Sequence, residues 1–239
     1  MTDRVELPWE KVGPQHKKRL ARAGMLVDLR RCTGCHACSV ACKTEHDVPL
    51  GGFRTRVRYL ERPDRDTLAF LPLLCMHCKD APCMPACGSE AIRRLDDGRV
   101  VIDAERCDSA KDCVAACPYG AIYIDPHTDK ADKCDFCTHR TEVGLEPACV
   151  TACPTDALVF GDVEDPEDPV AKIAKRENAK AFKEAANTSP VVLYLAHEPW
   201  MEEKVNGGVQ LSREDGDIIY DQGAPVGRDS DSNGEPDDA

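Results

Sequence analysis

The chain has 239 residues, 15 of them cysteine, and a formal net charge of -12, which makes it too long for a disulfide miniprotein and too acidic to take nucleic acid as a ligand. No window approaches the apolar length of a membrane span, so no direct membrane insertion is expected. Ile, Leu, Val and Phe make up only about one-fifth of the residues, close to the lower limit for an ordinary core, and metal–thiolate bonds are a means of supplying the missing folding free energy.

In chain order, residues 1–24, MTDRVELPWEKVGPQHKKRLARAG, are polar and of mixed charge and read as an N-terminal arm. No apolar leader follows Lys17-Lys18-Arg19, because Arg22 and Asp28 interrupt LARAGMLVDL, and Arg30-Arg31 runs straight into Cys32. An odd number of thiols also leaves one unpaired in any disulfide scheme. The cysteines are therefore expected to be reduced ligands in the cytoplasm, with co-export beside a signal-bearing partner left open.

Residues 25–74 hold a first group, Cys32, Cys35, Cys38 and Cys42 in CTGCHACSVAC, and then a hairpin insertion, RYLERPDRDTLAFLPLL. Residues 75–131 hold a second group, Cys75, Cys78, Cys83 and Cys87 in CMHCKDAPCMPAC, and a third, Cys107, Cys113 and Cys117 in CDSAKDCVAACPYGA. Residues 132–168 hold the fourth, Cys134, Cys137, Cys149 and Cys153. EAIRRL, GRVVID, GAIYID and DALVFGD read as short strands around these groups, and the whole as an α+β fold of ferredoxin-type modules. Within 169–222, residues 169–187 follow an Asp/Pro-rich start and read as a helix, and residues 189–195, SPVVLYL, as a strand docking back on the body. Residues 223–239 form an acidic, apolar-poor tail expected to be disordered.

The first group has the spacing C-x2-C-x2-C-x3-C, in which three close thiolates hold three irons of a cubane and the fourth reaches over to another cluster, so groups work in pairs. Zinc fits two C-x2-C pairs, but Cys32, Cys35 and Cys38 are too crowded to serve one tetrahedral ion. The CPxxA pattern in CPYGAI and CPTDAL adds weight to iron–sulfur binding. The third group departs from the spacing at one place: Ala110 stands where a cysteine is expected.

LRRCTGCHACSVACKTEH, LCMHCKDAPC, CPYGAI, KCDFC and CVTACPTDALVFGD together resemble the iron-sulfur electron-transfer beta subunits of the molybdopterin (dimethyl sulfoxide reductase) oxidoreductase family, over residues 25 to 200. The short spacings resemble the compact polysulfide, tetrathionate and sulfite-dehydrogenase members. The resemblance implies tandem bacterial-ferredoxin-like modules and three 4Fe-4S clusters: one on Cys32, Cys35, Cys38 and Cys153, one on Cys42, Cys134, Cys137 and Cys149, and one on Cys75, Cys78, Cys83 and Cys117. The fourth site keeps Cys87, Cys107 and Cys113. Alanine offers no lone pair, so a 3Fe-4S cluster is expected there; the alternative is a fourth 4Fe-4S cluster completed by water or by an oxygen of Asp108, Ser109 or Asp112. The implied partners are a catalytic molybdopterin subunit, holding molybdenum or tungsten and facing the group-one cluster, and an integral membrane quinone-binding anchor facing the group-three cluster. The resemblance thus implies association with a membrane through a partner.

No pterin, flavin or haem motif and no nucleophile–base pair accompanies these thiols, so the chain is expected to carry electrons and not to catalyse by itself. Two other readings share the same residues. One is a free-standing polyferredoxin; the other is a hydratase-like Lewis-acid site at Ala110, with Asp108, Lys111 and Asp112 beside it. His36 and His77 read as spacers between ligands, and Trp9 and Trp200 as packing or interface residues. Lys43, Lys79, Lys133 and Arg140 either raise cluster potentials or are solvated surface charge.

Overall fold

A computed structural model of the protein describes residues 20–61 and 68–205, with the backbone of two further short strands, Arg213–Glu214 and Asp217–Ile218. Residues 1–19 of the expected arm, the tip of the expected hairpin at 62–67, and the acidic tail at 223–239 lie outside the described residues.

Strand β1 (Ala23–Asp28) shows the period of two expected of a strand buried on both faces. Ala23, Met25 and Val27 enter the main core, while Leu26 points the other way and packs with Val170 and Leu195. β1 is the hub of a four-stranded sheet of order β8-β1-β10-β9. It runs antiparallel to β8 (Leu158–Asp162), with Val27 opposite Leu158, and parallel to β10 (Val192–Leu195), with Met25 opposite Val192. The β1–β8 pairing sets the start of the first cysteine loop beside the end of the fourth. Asp162 secures the opposite end of the pairing: its buried carboxylate accepts the N–H groups of Ala21 (2.5 Å), Arg22 (3.2 Å), Glu164 (2.9 Å) and Asp165 (3.0 Å).

Helix α5 (Pro169–Arg176) covers the Leu26 face. It starts with proline in the first turn, and Asp168 Oδ1 accepts from Val170 N at 2.8 Å. The helix is shorter than the 169–187 stretch expected. Asn178 takes φ 52° and the Ala179 N–H returns to the Ala174 carbonyl at 2.9 Å, which closes the helix. Residues beyond it form a two-residue strand, β9 (Lys180–Ala181), and a 3-10 turn (Glu184–Ala186), because Phe182 is drawn into the core against Tyr194 and His197.

Three antiparallel hairpins lie between the cysteine groups. The first, β2 (Thr55–Glu61) with β3 (Leu68–Leu74), is the expected insertion; the second is β4 (Ile92–Arg94) with β5 (Val100–Ile102), and the third β6 (Tyr123–Ile124) with β7 (Ala131–Asp132). Short helices follow the cysteine loops: α1 (Ala37–Glu45), α2 (Asp112–Ala116), α3 (Thr138–Thr141) and α4 (Ala148–Thr151), with α6 (Pro199–Lys204) near the end. Among the described residues, no helix is long and apolar enough to cross a membrane. The main core is mixed: Cys38, Cys75, Cys78, Cys83, Cys107, Cys113, Cys134 and Cys149 are buried among its Leu, Val, Ile and Phe side chains.

Candidate metal centre

The cysteine loops hold their thiols through unusual backbone angles. In the first loop Gly34 has φ 69° and His36 φ 61°, with Cys35 between them, and His36 is the N-cap of α1. Gly34 has no room for a side chain, since a Cβ would lie 2.3 Å from Phe70 Cδ1. The third loop repeats this course: Ser109 has φ 65°, Lys111 has φ 69°, and Lys111 is the N-cap of α2. Ala110 therefore occupies the backbone position that Cys35 occupies in the first loop. Groups two and four share another turn, with His77 at φ 44° between Cys75 and Cys78 and Phe136 at φ 55° between Cys134 and Cys137.

These turns aim backbone N–H groups at sulfur. His77 N lies 3.5 Å from Cys75 Sγ, and Phe136 N lies 3.4 Å from Cys134 Sγ. The CPxxA pattern does the same, with Ala121 N 3.5 Å from Cys117 Sγ and Ala157 N 3.2 Å from Cys153 Sγ. Burial alone would raise Cys87 and Cys153. It is outweighed at Cys87 by the Ser89 hydroxyl and nearby N–H groups, and at Cys153 by the N–H groups of Thr155 and Ala157, so both thiols lie below their usual pKa.

Cys32, Cys35 and Cys38 line one cavity together with Cys153, although Cys153 is remote in sequence. Cys75, Cys78 and Cys83 line a second with Cys117. The two cavities are lined alike, each by four cysteines and by the proline that follows the last of them, Pro154 in one and Pro118 in the other, as suits the same kind of occupant. A third set is Cys42, Cys134, Cys137 and Cys149. Burial pushes Cys42 up to about 12 and Cys137 up to about 11, and raises Cys134 and Cys149 well above the usual thiol value. The facing thiols of the set add to the rise: Cys137 acts on Cys42, Cys42 and Cys149 on Cys134, and Cys137 and Cys42 on Cys149. In the fourth set, burial and then Cys87 and Cys107 push Cys113 up to about 11. Ala110 is exposed beside it, and the Asp108 carboxylate is turned back onto the Ala110 N–H at 3.3 Å.

The sets adjoin one another. Cys38 of the first is among the thiols acting on Cys149 of the third. The Phe136 ring stacks on His77 at 3.9 Å between centroids, which joins the third set to the second. Cys83 and Cys87 then connect the second to the fourth through one short loop.

Neighbouring residues separate into buried and exposed roles. Of the cations near ligands, Lys79 pairs with Glu164 on the surface, Arg140 pairs with Glu45, and Lys43 donates to the Pro49 and Gly52 carbonyls. Lys133 differs. It is 2% exposed, it lines the second cavity, and its ammonium donates to the carbonyls of Val100 and Cys134. Among the described residues no carboxylate forms an ion pair with it, and its cation acts on the thiols of Cys83 and Cys117 in the set it faces. His36 stacks on Tyr59, and His77 is fully buried with Nδ1 accepting from Val100 N at 3.0 Å. Trp200 packs against the core; Trp9 lies outside the described residues.

His46 and Arg54 are additions that no sequence motif marked. His46 Nε2 lies 3.2 Å from Cys137 Sγ, and His46 Nδ1 lies 2.8 Å from an Arg54 guanidinium nitrogen. Burial, and then the Arg54 cation, hold the imidazole below its usual pKa. The available signal was spacing: His46 stands at i+4 from Cys42, where it caps the C-terminus of α1 and its N–H donates to the Cys42 carbonyl at 3.2 Å.

Among the described residues, no three His, Cys, Asp or Glu side chains converge as the ligands of a single ion do. The thiols ring cavities instead, with N–H donors on several sulfurs and a buried ammonium beside one ring, a donor set that fits iron–sulfur clusters. Together, the loops and the thiol-lined cavities define an iron–sulfur electron-transport protein. A family model described as a 4Fe-4S dicluster domain matches residues 67–163. The chain is 44% identical over 180 residues to the B subunit of tetrathionate reductase from Salmonella typhimurium, covering 73% of this chain and 72% of that one. It is 39% identical over 181 residues to the B subunit of polysulfide reductase from Wolinella succinogenes, covering 73% and 94%. Against the arsenate respiratory reductase iron-sulfur subunit ArrB of a Shewanella species the identity is 32% over 224 residues, covering 73% and 96%. This protein belongs to the family of iron-sulfur electron-transfer B subunits of the molybdopterin oxidoreductases.

Proposed function

We propose that this chain relays electrons through four iron–sulfur clusters between a catalytic molybdopterin subunit and a membrane-anchored, quinone-reactive subunit. The complex acts in respiration or oxidation of sulfur compounds or related oxyanions, a substrate class suggested by the tetrathionate and polysulfide reductase relatives. The observation that carries the reading is the succession of thiol sets, one beside the next, in the order first, third, second and fourth described above.

Bound clusters supply one-electron chemistry; the chain supplies everything that positions and tunes them. Cys32, Cys35, Cys38 and Cys153 hold one 4Fe-4S cluster, Cys42, Cys134, Cys137 and Cys149 a second, and Cys75, Cys78, Cys83 and Cys117 a third. Cys87, Cys107 and Cys113 hold a 3Fe-4S cluster, because Ala110 keeps the loop course of Cys35 without its sulfur and Asp108 is engaged with backbone. Two paired sets of this kind form tandem ferredoxin-like modules, the outer one closed by the β1–β8 pairing. Lys133 offsets negative charge at the second cavity, and the Phe136–His77 stack excludes water between neighbouring sets.

The test is anaerobic purification of the tagged chain from its native membranes. It should bring down a molybdenum- or tungsten-containing subunit, and the chain freed of that subunit should not turn over sulfur, selenium or arsenic oxyanions with a reduced dye. Turnover by metal-pterin-free chain, or recovery of the native chain as a lone monomer, contradicts the relay.

A further inference from the structure

We propose that His46 donates a hydrogen bond from Nε2 to Cys137 Sγ, in a tautomer fixed by Arg54, and thereby raises the reduction potential of the cluster on Cys42, Cys134, Cys137 and Cys149. This rests on the assignment of Cys137 as a ligand.

The tautomer follows from what each group can offer. A guanidinium has only N–H donors. Arg54 lies 2.8 Å from Nδ1, so Nδ1 must be the accepting nitrogen and the proton of the neutral imidazole sits on Nε2. That nitrogen is 3.2 Å from Cys137 Sγ, and sulfur is the acceptor. Arg54 is itself held in place: two of its nitrogens reach the two oxygens of Asp132, each at 2.8 Å, and it pairs with Asp135 at 3.4 Å. The Tyr123 hydroxyl also bonds Asp132. The string Asp132–Arg54–His46–Cys137 thus joins two distant stretches of sequence, residues 46–54 and 132–137. The His46 side chain is only 7% exposed, so water does not compete for the sulfur.

Several other thiols receive backbone N–H groups or hydroxyls, but among the described residues only Cys137 is bonded to an imidazole. An electron added to the cluster increases the negative charge on its sulfurs. A donor at Sγ therefore stabilises the reduced state more than the oxidised one, and the potential rises. One electron enters and no proton leaves Nε2, so the effect is electrostatic. It acts at the set lying between the first and the second.

The experiment is a redox titration of the anaerobic, cluster-loaded protein followed by electron paramagnetic resonance, with His46→Phe and His46→Gln beside the native protein. His46→Phe should lower one midpoint only, by about tenfold in the oxidised-to-reduced ratio, which is about 59 mV for one electron. His46→Gln, whose amide nitrogen can stand near the lost Nε2, should recover most of the shift. Native protein labelled with 15N-histidine should show a 15N coupling and an exchangeable proton coupling to that reduced cluster, and this reading stands even if His46→Phe fails to assemble. Unshifted midpoints in a fully loaded His46→Phe, or no such coupling in the native protein, overturn the proposal. Cys137→Ser separates the two assignments. Loss of one cluster there, with unshifted midpoints in His46→Phe, removes only the role of His46; intact clusters in Cys137→Ser remove the ligand assignment and the His46 role with it.

Discussion

Replacing Ala110 with cysteine restores the C-x2-C-x2-C-x3-C spacing in the third loop. The structure predicts that the added sulfur needs no change in backbone, because Ser109 and Lys111 at φ 65° and 69° match Gly34 and His36 at 69° and 61° around Cys35. Ala110 is exposed, so the larger side chain meets no core packing, and the effect on folding stability should stay within about 0.5 kcal/mol, the usual range for surface substitutions. The effect on the metal centre should be large by comparison. Iron should rise from about fifteen to about sixteen per chain, and the oxidised-state paramagnetic signal of a three-iron cluster should fall from about one spin per chain to none. The midpoint of that centre should fall, since an anionic donor now faces the fourth iron. The assay is iron and sulfide analysis with spin integration on anaerobic protein. A variant that folds normally yet keeps the three-iron signal and its iron count would show that the Ala110 corner does not face the cluster, and the match between the two loops would be irrelevant to ligation.

Three further perturbations have defined outcomes. Cys32→Ser and Cys153→Ser should each remove the same cluster, about four irons, and the double variant should lose no more; spectroscopically distinct losses contradict the shared cavity. Lys133→Met keeps the side-chain length and removes the buried charge, so the midpoint of the cluster on Cys75, Cys78, Cys83 and Cys117 should fall while the other midpoints hold; an unchanged midpoint with full iron content contradicts the charge assignment. Asp162→Ala strips an acceptor from four N–H groups and should cost about 2–4 kcal/mol in denaturant unfolding of the loaded protein; a loss below about 0.5 kcal/mol would mean that water replaces the carboxylate.

The cysteine chemistry was legible because its information is local. Spacing within CTGCHACSVAC or CMHCKDAPCMPAC reports which thiols can share a metal centre, and CPxxA reports an N–H four residues on that returns to the sulfur. Strands such as DALVFGD were legible from their apolar runs. The helix end at Arg176 was not, because residues 177–187 keep good helix formers, and the burial of Phe182, a tertiary effect, overrides them. The sequence left Lys133 poised between tuning cation and surface charge; burial distinguishes the two and depends on Val100, far along the chain. Arg54 and Asp132 carried no signal, since their pairing joins the approach to β2 with β7 across 78 residues and only folding brings them to His46. Ala110 was visible as an absence in a spacing, at the place Cys35 holds in the first loop, and the backbone angles add that the two loops follow the same course.

Anaerobic iron and sulfide analysis of the native protein, combined with a redox titration that counts one-electron centres, bears on the whole relay at once. Four centres and about fifteen irons per chain are expected, three cubanes and one three-iron cluster. Two centres with about eight irons would mean that only one pair of thiol sets binds clusters, and a four-centre path through this protein would not exist.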